Sequence, residues 1–215
     1  MDNLSLIIKN LSKEFGSKQI LNDVSIEINE GEIFILTCSS GEGKTTFLKI
    51  LAGLENYSGR IQINSSAIQF KDLIAYVPQQ NALWDNKNVI DNITLYRELK
   101  LGESKKEAQS KVEHLLELLK ISELKNRFPS NLSQGEQQRV SFARAIATDR
   151  KIYLMDEVTA NLDLENKEII SNAIKQLSKE NNIVIVVTHD LYFARNLKKK
   201  YFKLAKGKFE DCNFS

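Results

Sequence analysis

Between the apolar run Ile33 to Leu36 and an apolar-periodic stretch opening at Lys44 lies Cys38-Ser-Ser-Gly-Glu-Gly-Lys-Thr-Thr46. Small residues and glycines let backbone N–H groups wrap an anion. A lysine adds a full charge, a helix N-terminus points at the same place, and a threonine hydroxyl can bind magnesium. Strand, tight loop and helix start is the context in which such a loop cradles phosphates. Gly43, Lys44 and Thr45 fit the pattern G-x-x-x-x-G-K-[ST], but Cys38 stands where its first glycine belongs. The motif is one residue short, so the rest of the chain must decide whether it is real.

Two further apolar runs end in reactive side chains. Lys151 to Met155 leads into Asp156-Glu157, and Ile183 to Val187 leads into Thr188-His189-Asp190. In open parallel sheets ligands bind beyond the carboxyl ends of the strands, so all three ends can face one nucleotide. Phosphoryl transfer mostly demands positioning and neutralisation of charge. Lys44 would pair with the β/γ oxygens, and Thr45 and Asp156 would hold magnesium. Glu157 would polarise the attacking water and His189 would contact the γ-phosphate. Each motif alone has a plain alternative. A short Gly-x-Gly-Lys-Thr match arises by chance, an Asp-Glu at a strand end caps a helix, and a histidine packs or sits on the surface, as His114 is read to do. Their joint occurrence at strand ends, in this order, argues against coincidence.

The elements that must position these groups are legible in outline. Leu4 to Leu11 and Val24 to Ile28 alternate as half-buried strands do, with a turn at Glu14-Phe15-Gly16-Ser17. Arg60 to Ile63 and Leu73 to Val77 are short strands, the second ending at Pro78-Gln79-Gln80. From about Asn81 to Asn131 the composition turns helical and charged. Asp91 to Leu99 is one expected helix and Glu103 to Lys120 another, with Val112, Leu115, Leu116, Leu118 and Leu119 on its apolar stripe. Gln134 to Thr148 and Leu164 to Leu177 read as helices flanking continuous apolar strands. That alternation implies an α/β fold with a largely parallel sheet covered on both faces.

Composition excludes several classes. With 215 residues the chain suffices for one substantial domain, and its 42% hydrophobic and 27% charged content is that of a soluble globular protein. A net charge of +2 is too small to argue for nucleic acid as a partner. Lys198-Lys-Lys200 reads as a solvated surface turn. Two cysteines, Cys38 and Cys212, lack metal-ligand spacing and suggest a reduced cytosolic protein. The apolar runs are strand-sized, far below the roughly 18 residues of a spanning helix, and the N-terminus does not read as a signal peptide.

Leu132-Ser-Gln-Gly-Glu-Gln-Gln-Arg-Val-Ser-Phe-Ala-Arg-Ala-Ile146 makes the assignment specific. It resembles the signature of ATP-binding cassette (ABC) transporter subunits, usually Leu-Ser-Gly-Gly-Gln followed by Gln-Arg-Val and Ala-Arg-Ala, and the resemblance runs over essentially the whole chain. Physically the segment is a helix N-terminus opened by Ser133 and Gly135, an anion site that also admits an ordinary serine cap. The resemblance implies a P-loop NTPase core with a mostly parallel sheet (1–80 and 135–215), an N-terminal antiparallel β subdomain, and an inserted α-helical subdomain (81–134) ending in the signature, within one domain, 1–215.

It also implies roles. ATP and Mg2+ would be held by Cys38, Ser39, Ser40, Gly41, Glu42, Gly43, Lys44, Thr45 and Thr46. Phe15 would stack on adenine, its alternative being a buried turn aromatic. Gln79 would contact magnesium and water, and Ser133 and Gly135 would bind the γ-phosphate held by the opposite subunit. Glu157, His189 and Lys44 would be catalytic, with Thr45, Asp156 and Gln79 as metal ligands. Leu162-Asp163 matches a loop that communicates between subunits. Asn81 to Trp84 and Asn88 to Ile93 resemble the segment that docks a membrane subunit, with Trp84 as anchor or, alternatively, as a core tryptophan.

The partners so implied are a second copy, head to tail, and transmembrane permease subunits, with a periplasmic or surface substrate-binding protein in an import system. The location would be peripheral, at the cytoplasmic face of the membrane. Phe128-Pro-Ser-Asn-Leu-Ser and His189-Asp-Leu-Tyr-Phe-Ala-Arg195 look most like polar amino-acid importers. Lipoprotein-release and efflux systems, and a low-turnover regulatory cassette, are the alternatives. The chain ends soon after Phe209, which leaves no room for a substrate-sensing C-terminal domain. A repair ATPase of related fold would need a long coiled coil between Lys44 and Asp156. Departures from the family are Cys38, Glu42, Gln134, Glu136, Val158 and Ala160-Asn161. A carboxylate at Glu42 costs roughly 0.5–2 kcal/mol beside phosphate at intermediate dielectric, which weakens binding without abolishing it.

Overall fold

Alternating apolar residues build β1 (Ser5–Phe15), which turns at Gly16-Ser17 and pairs antiparallel with β2 (Lys18–Asn29). The computed structural model describes residues 4–37, 43–64, 70–80, 82–198 and 200–213. It makes this hairpin longer than the alternation suggested, because the pairing slips between Ile8 and Leu11. Asn10 (φ 52) takes a left-handed backbone there, and its side-chain amide donates to Asp23 at 2.7 Å. A bulge of this kind shifts the inside–outside phase of the residues beyond it, so a period-two reading stops at Leu11.

The chain continues through β3 (Ile33–Thr37), α1 (Lys44–Leu51), β4 (Ser58–Ile63) and β5 (Ile74–Val77). Three helices follow, α2 (Val89–Lys100), α3 (Lys105–Leu118) and α4 (Gln134–Ile146). Then come β6 (Ile152–Asp156), α5 (Leu164–Lys179), β7 (Ile183–Val187), α6 (Leu191–Leu197), β8 (Lys200–Ala205) and β9 (Lys208–Asn213). The first sheet runs β2-β1-β4 and is antiparallel; the second runs β5-β6-β7-β3-β8-β9. In the second, β6, β7, β3 and β8 are parallel neighbours, and β9 closes the edge antiparallel to β8.

The residues of β3, β6 and β7 are buried throughout. Continuous apolar, largely β-branched runs tolerate no wet face and are driven to the centre of such a sheet. Register then fixes the site. Leu36 pairs with Val187, and Asp156 pairs with the same Val187. The carboxyl ends of the three strands therefore stop level with one another.

The terminal hairpin β8–β9 was not foreseen. Its turn residues Lys206 (φ 49) and Gly207 (φ 77) are both left-handed, as a two-residue hairpin turn requires. Lysines on the exposed face mask the inward residues: Phe202 stacks on Phe34 at 5.0 Å, and Phe209 meets Phe47 edge-on at 5.2 Å.

Two compact units divide the chain: Met1–Tyr76 with Arg150–Glu157 and Ile174–Ser215, and Val77–Asp149 with Val158–Ala173. The first holds both sheets around one apolar core. In the second, α2 packs against α3 and α4. Val112, Leu115, Leu116 and Leu119 are buried there, as are Val140, Phe142, Ala143 and Ile146. No helix among the described residues is long and apolar enough to cross a membrane.

A partly buried ion cluster fastens the second unit. Arg97 Nε and Nη2 donate to the two Glu103 oxygens, each at 2.7 Å, and Arg97 Nη1 donates to the Ala147 carbonyl at 2.9 Å. Lys111 adds a contact to Glu103 at 2.6 Å. The Arg97 and Lys111 hydrogen bonds hold the Glu103 carboxyl at about 2, down from 4.5. A depressed folded-state value stabilises the fold fully above the unfolded value, and the effect is lost as pH falls through the folded one. The gap in melting temperature between the natural protein and Glu103→Gln should therefore be full above about pH 4.5 and close toward pH 2.

Candidate functional site

Cys38, Ser39, Ser40, Gly41 and Glu42, the expected front of the phosphate loop, lie outside the described residues, so the site is built from Gly43 onward. Gly43 has φ 110, and a Cβ there would meet Ile20 Cγ2 at 2.3 Å, so both the backbone and the space demand glycine. It begins α1 with no side-chain cap and no acidic residue in the first turn. The positive end of that helix is thus left to an outside anion.

Phe15, Lys18, Ile20, Gly43, Lys44, Thr45 and Thr46 line a cavity of about 360 Å³. Phe15 is 49% exposed at its rim, with the Lys13 ammonium 4.5 Å above the ring. The alternative of a buried turn aromatic does not hold. An exposed ring beside the start of a phosphate-type helix is a surface on which a flat base can stack.

Lys44 is buried, and its Nζ lies 3.1 Å from Glu157 Oε1. The other oxygen, Oε2, lies 2.8 Å from His189 Nδ1 and accepts the His189 backbone N–H at 3.2 Å. Glu157 thus joins residues from α1, from the end of β6 and from the end of β7. Its backbone is left-handed (φ 49), and its N–H donates to Val187 O at 2.9 Å. Such a conformation in a non-glycine residue costs on the order of 1 kcal/mol and collects at functional sites. An acceptor-only carboxylate on Nδ1 requires that nitrogen to carry the proton, which leaves Nε2 for an incoming group. His189 itself is exposed.

Asp156 is only 1% exposed. Burial pushes its carboxyl up, while hydrogen bonds from the Thr45 and Tyr76 hydroxyls and the Lys44 charge hold it back. Its Oδ1 is buried without a hydrogen-bond partner. An orphaned carboxylate oxygen with a threonine hydroxyl directed at the same group fits a hard divalent cation, which takes oxygen ligands and reverses the desolvation penalty. Among the described residues there is no cluster of three or more His, Cys, Asp or Glu that could hold a metal alone. A cation here would need phosphate or water for its remaining ligands, as magnesium commonly does.

The other expected residues belong to the second unit. Gln79 is exposed just beyond β5. Ser133 caps α4: its hydroxyl accepts from the Glu136 N–H at 3.3 Å, and the Glu136 carboxylate accepts from the Ser133 N–H at 2.7 Å. The Ser133 backbone N–H leads the contacts that hold the Glu136 carboxyl below its usual range. A Cβ at Gly135 would come within 2.8 Å of Asn166 Nδ2. Asn166 is pinned in turn, donating its N–H and its amide to Asp163 at 2.8 Å each. The signature glycine thus has a packing reason besides any ligand.

Trp84 is 44% exposed, with the Arg144 guanidinium 4.7 Å over its ring, so the core-tryptophan alternative fails. Two residues escaped the sequence reading. Fully buried Asn92 fixes the Trp84 loop, accepting from the Trp84 N–H at 2.8 Å and donating to Lys87 O at 2.9 Å. Tyr76 donates its hydroxyl to Asp156 Oδ2 at 3.2 Å. Only the position of Asn92 on the buried face of a capped helix could have drawn attention to it.

Residues 21–160 match the family model described as ABC transporter. The methionine import ATP-binding protein of Clostridioides difficile is 40% identical over 195 residues, covering 86% of this chain and 60% of that protein. The arginine/ornithine transport ATP-binding protein of Pseudomonas aeruginosa is 31% identical, over 96% of this chain and 89% of its own length. The sulfate/thiosulfate import ATP-binding protein of Escherichia coli is 34% identical over 98% of this chain and 60% of that protein. In fold, the chain superposes over its full length on the ADP conformation of an ATP-binding cassette of an ABC transporter, with a TM-score of 0.83 at 23% identity. The chain belongs to the ABC transporter family, as an ATP-binding ATPase subunit.

Proposed function

We propose that this chain hydrolyses Mg-ATP at the described strand ends and energises import of polar amino acids through a pair of membrane permease subunits. The observation that carries the reading is Glu157, one residue beyond Asp156, with its carboxylate between Lys44 Nζ at 3.1 Å and His189 Nδ1 at 2.8 Å. On this account ATP draws Lys44 onto its β/γ oxygens, which frees one Glu157 oxygen to orient the attacking water. His189 then offers Nε2 to the γ-phosphate while Nδ1 stays on Glu157. Thr45 and Asp156 would hold the magnesium ion, which when bound neutralises the phosphate charge.

Phe15 provides the stacking surface for adenine. Gly43 to Thr46, at the helix start, would hold the phosphates from the described side of the site. The whole chain then works as one ATPase domain. Two copies would meet head to tail, so that Ser133 and Gly135 of one close over the γ-phosphate of the other. The Ser133 hydroxyl is committed to its own helix, and closure would redirect it. The exposed Trp84, stiffened by Arg144, suits an anchor for a membrane subunit, and on this reading the protein would work at the inner face of the membrane.

Relatives named for arginine/ornithine and methionine transport support an amino-acid cargo. A sulfate relative of similar identity favours a second reading, in which the cargo is set by the membrane subunits and the cassette is common to several importers. The test is reconstitution with the permease subunits that co-purify and any substrate-binding protein, assayed for ATP turnover against a panel of amino acids and sulfate. Stimulation by a polar amino acid is the expected result. Stimulation by sulfate alone, or by no solute, would overturn the cargo assignment.

A further inference from the structure

We propose that Tyr76 is a positioning residue for the metal-binding carboxylate: its hydroxyl anchors Asp156 through Oδ2 and leaves Oδ1 as the open coordination position. The inference rests on the reading of these strand ends as a magnesium–nucleotide site. A carboxylate turns easily about its last torsion, since that sp3–sp2 bond has a broad, two-fold profile. One oxygen must therefore be held if the other is to point reliably. Tyr76 Oη donates to Oδ2 at 3.2 Å, while Oδ1 is buried and has no hydrogen-bond partner. The two oxygens of Asp156, itself 1% exposed, are thus chemically distinct before any ligand arrives.

The tyrosine is built to keep its place. It lies in β5, the neighbour of β6 in the sheet, and its ring packs against the apolar core of the first unit. Outer-shell partners of this kind orient the ligands of a metal, and their removal typically lowers metal affinity or activity about 10- to 100-fold.

The experiment uses the full chain, natural and as Tyr76→Phe and Asp156→Asn. Each is titrated with N-methylanthraniloyl-ADP in EDTA and then at rising Mg2+. Phenylalanine keeps the packed ring and removes only the donor, and the EDTA arm reports whether the nucleotide site is intact. The expected result for Tyr76→Phe is an unchanged affinity in EDTA and a half-saturating Mg2+ concentration raised about 10-fold, while Asp156→Asn loses the Mg2+ effect. If Asp156→Asn loses it and Tyr76→Phe matches the natural protein, the role of Tyr76 is overturned and the site reading stands. Equal weakening of Tyr76→Phe in both arms would make Tyr76 a packing residue and also overturn the proposal. A Mg2+ effect that survives Asp156→Asn would overturn the site reading itself.

Discussion

Glu157→Gln is expected to bind ATP at least as tightly as the natural protein and to turn it over roughly 10²- to 10⁴-fold more slowly, the range of a lost general base. Glutamine keeps the shape of the side chain and an oxygen that can accept from Lys44 or His189. It cannot take a proton from water. It also removes a negative charge one residue from Asp156, where a γ-phosphate would have to settle, so the ground state should be favoured rather than harmed. ATP-bound dimer should then accumulate, visible as a doubled mass in sedimentation with ATP but not with ADP. Undiminished turnover in this variant would remove Glu157 from the mechanism.

Lys44→Met carries the second large effect, and it acts on two quantities at once. Lys44 and Glu157 are both buried, and their charges are 3.1 Å apart. Removing one member of such a pair strands the other in a poor solvent and costs about 3–5 kcal/mol, less whatever His189 recovers for Glu157. Unfolding midpoints should therefore fall. Nucleotide affinity should fall as well, by about 10- to 100-fold for a charge-assisted contact of 1.5–3 kcal/mol. The double variant Lys44→Met/Glu157→Gln separates the two: stability should largely return, because no stranded charge remains, while nucleotide affinity should not. Additive losses of stability in the double variant would mean that the pair is not coupled in solution.

These expectations show how the sequence carries its information. The three buried strands are written in unbroken apolar runs, and a parallel sheet places ligands at their ends. The sequence alone therefore brings Asp156, Glu157 and His189 to the strand ends beside Lys44. The helices of the second unit were equally visible, since their stripes repeat at the helical period and Ser104 and Ser133 cap them. What failed to show was every feature that depends on pairing across the chain. The bulge at Asn10 is set by Asp23, thirteen positions on. The β8–β9 hairpin hides its aromatic face among lysines and is held by Phe34 and Phe47 from β3 and α1.

The site was incomplete for the same reason. The strand ends bring Glu157 near Lys44 and His189, but the sequence shows neither its left-handed backbone nor the bridge its two oxygens make between them. Tyr76 sits three residues before Gln79 and reads as an ordinary strand aromatic. Only the adjacency of β5 to β6 brings its hydroxyl to Asp156. Glu136, noted first as a departure from the family signature, has a local explanation in the reciprocal cap it forms with Ser133.

Release of inorganic phosphate from ATP by the purified protein, followed as Mg2+ is titrated and compared with Asp156→Asn, bears most directly on whether these strand ends form one hydrolytic site. The account predicts steady turnover that requires Mg2+ and is abolished in the variant. No phosphate release from the natural protein at saturating Mg-ATP, or release that Asp156→Asn leaves intact, would contradict it.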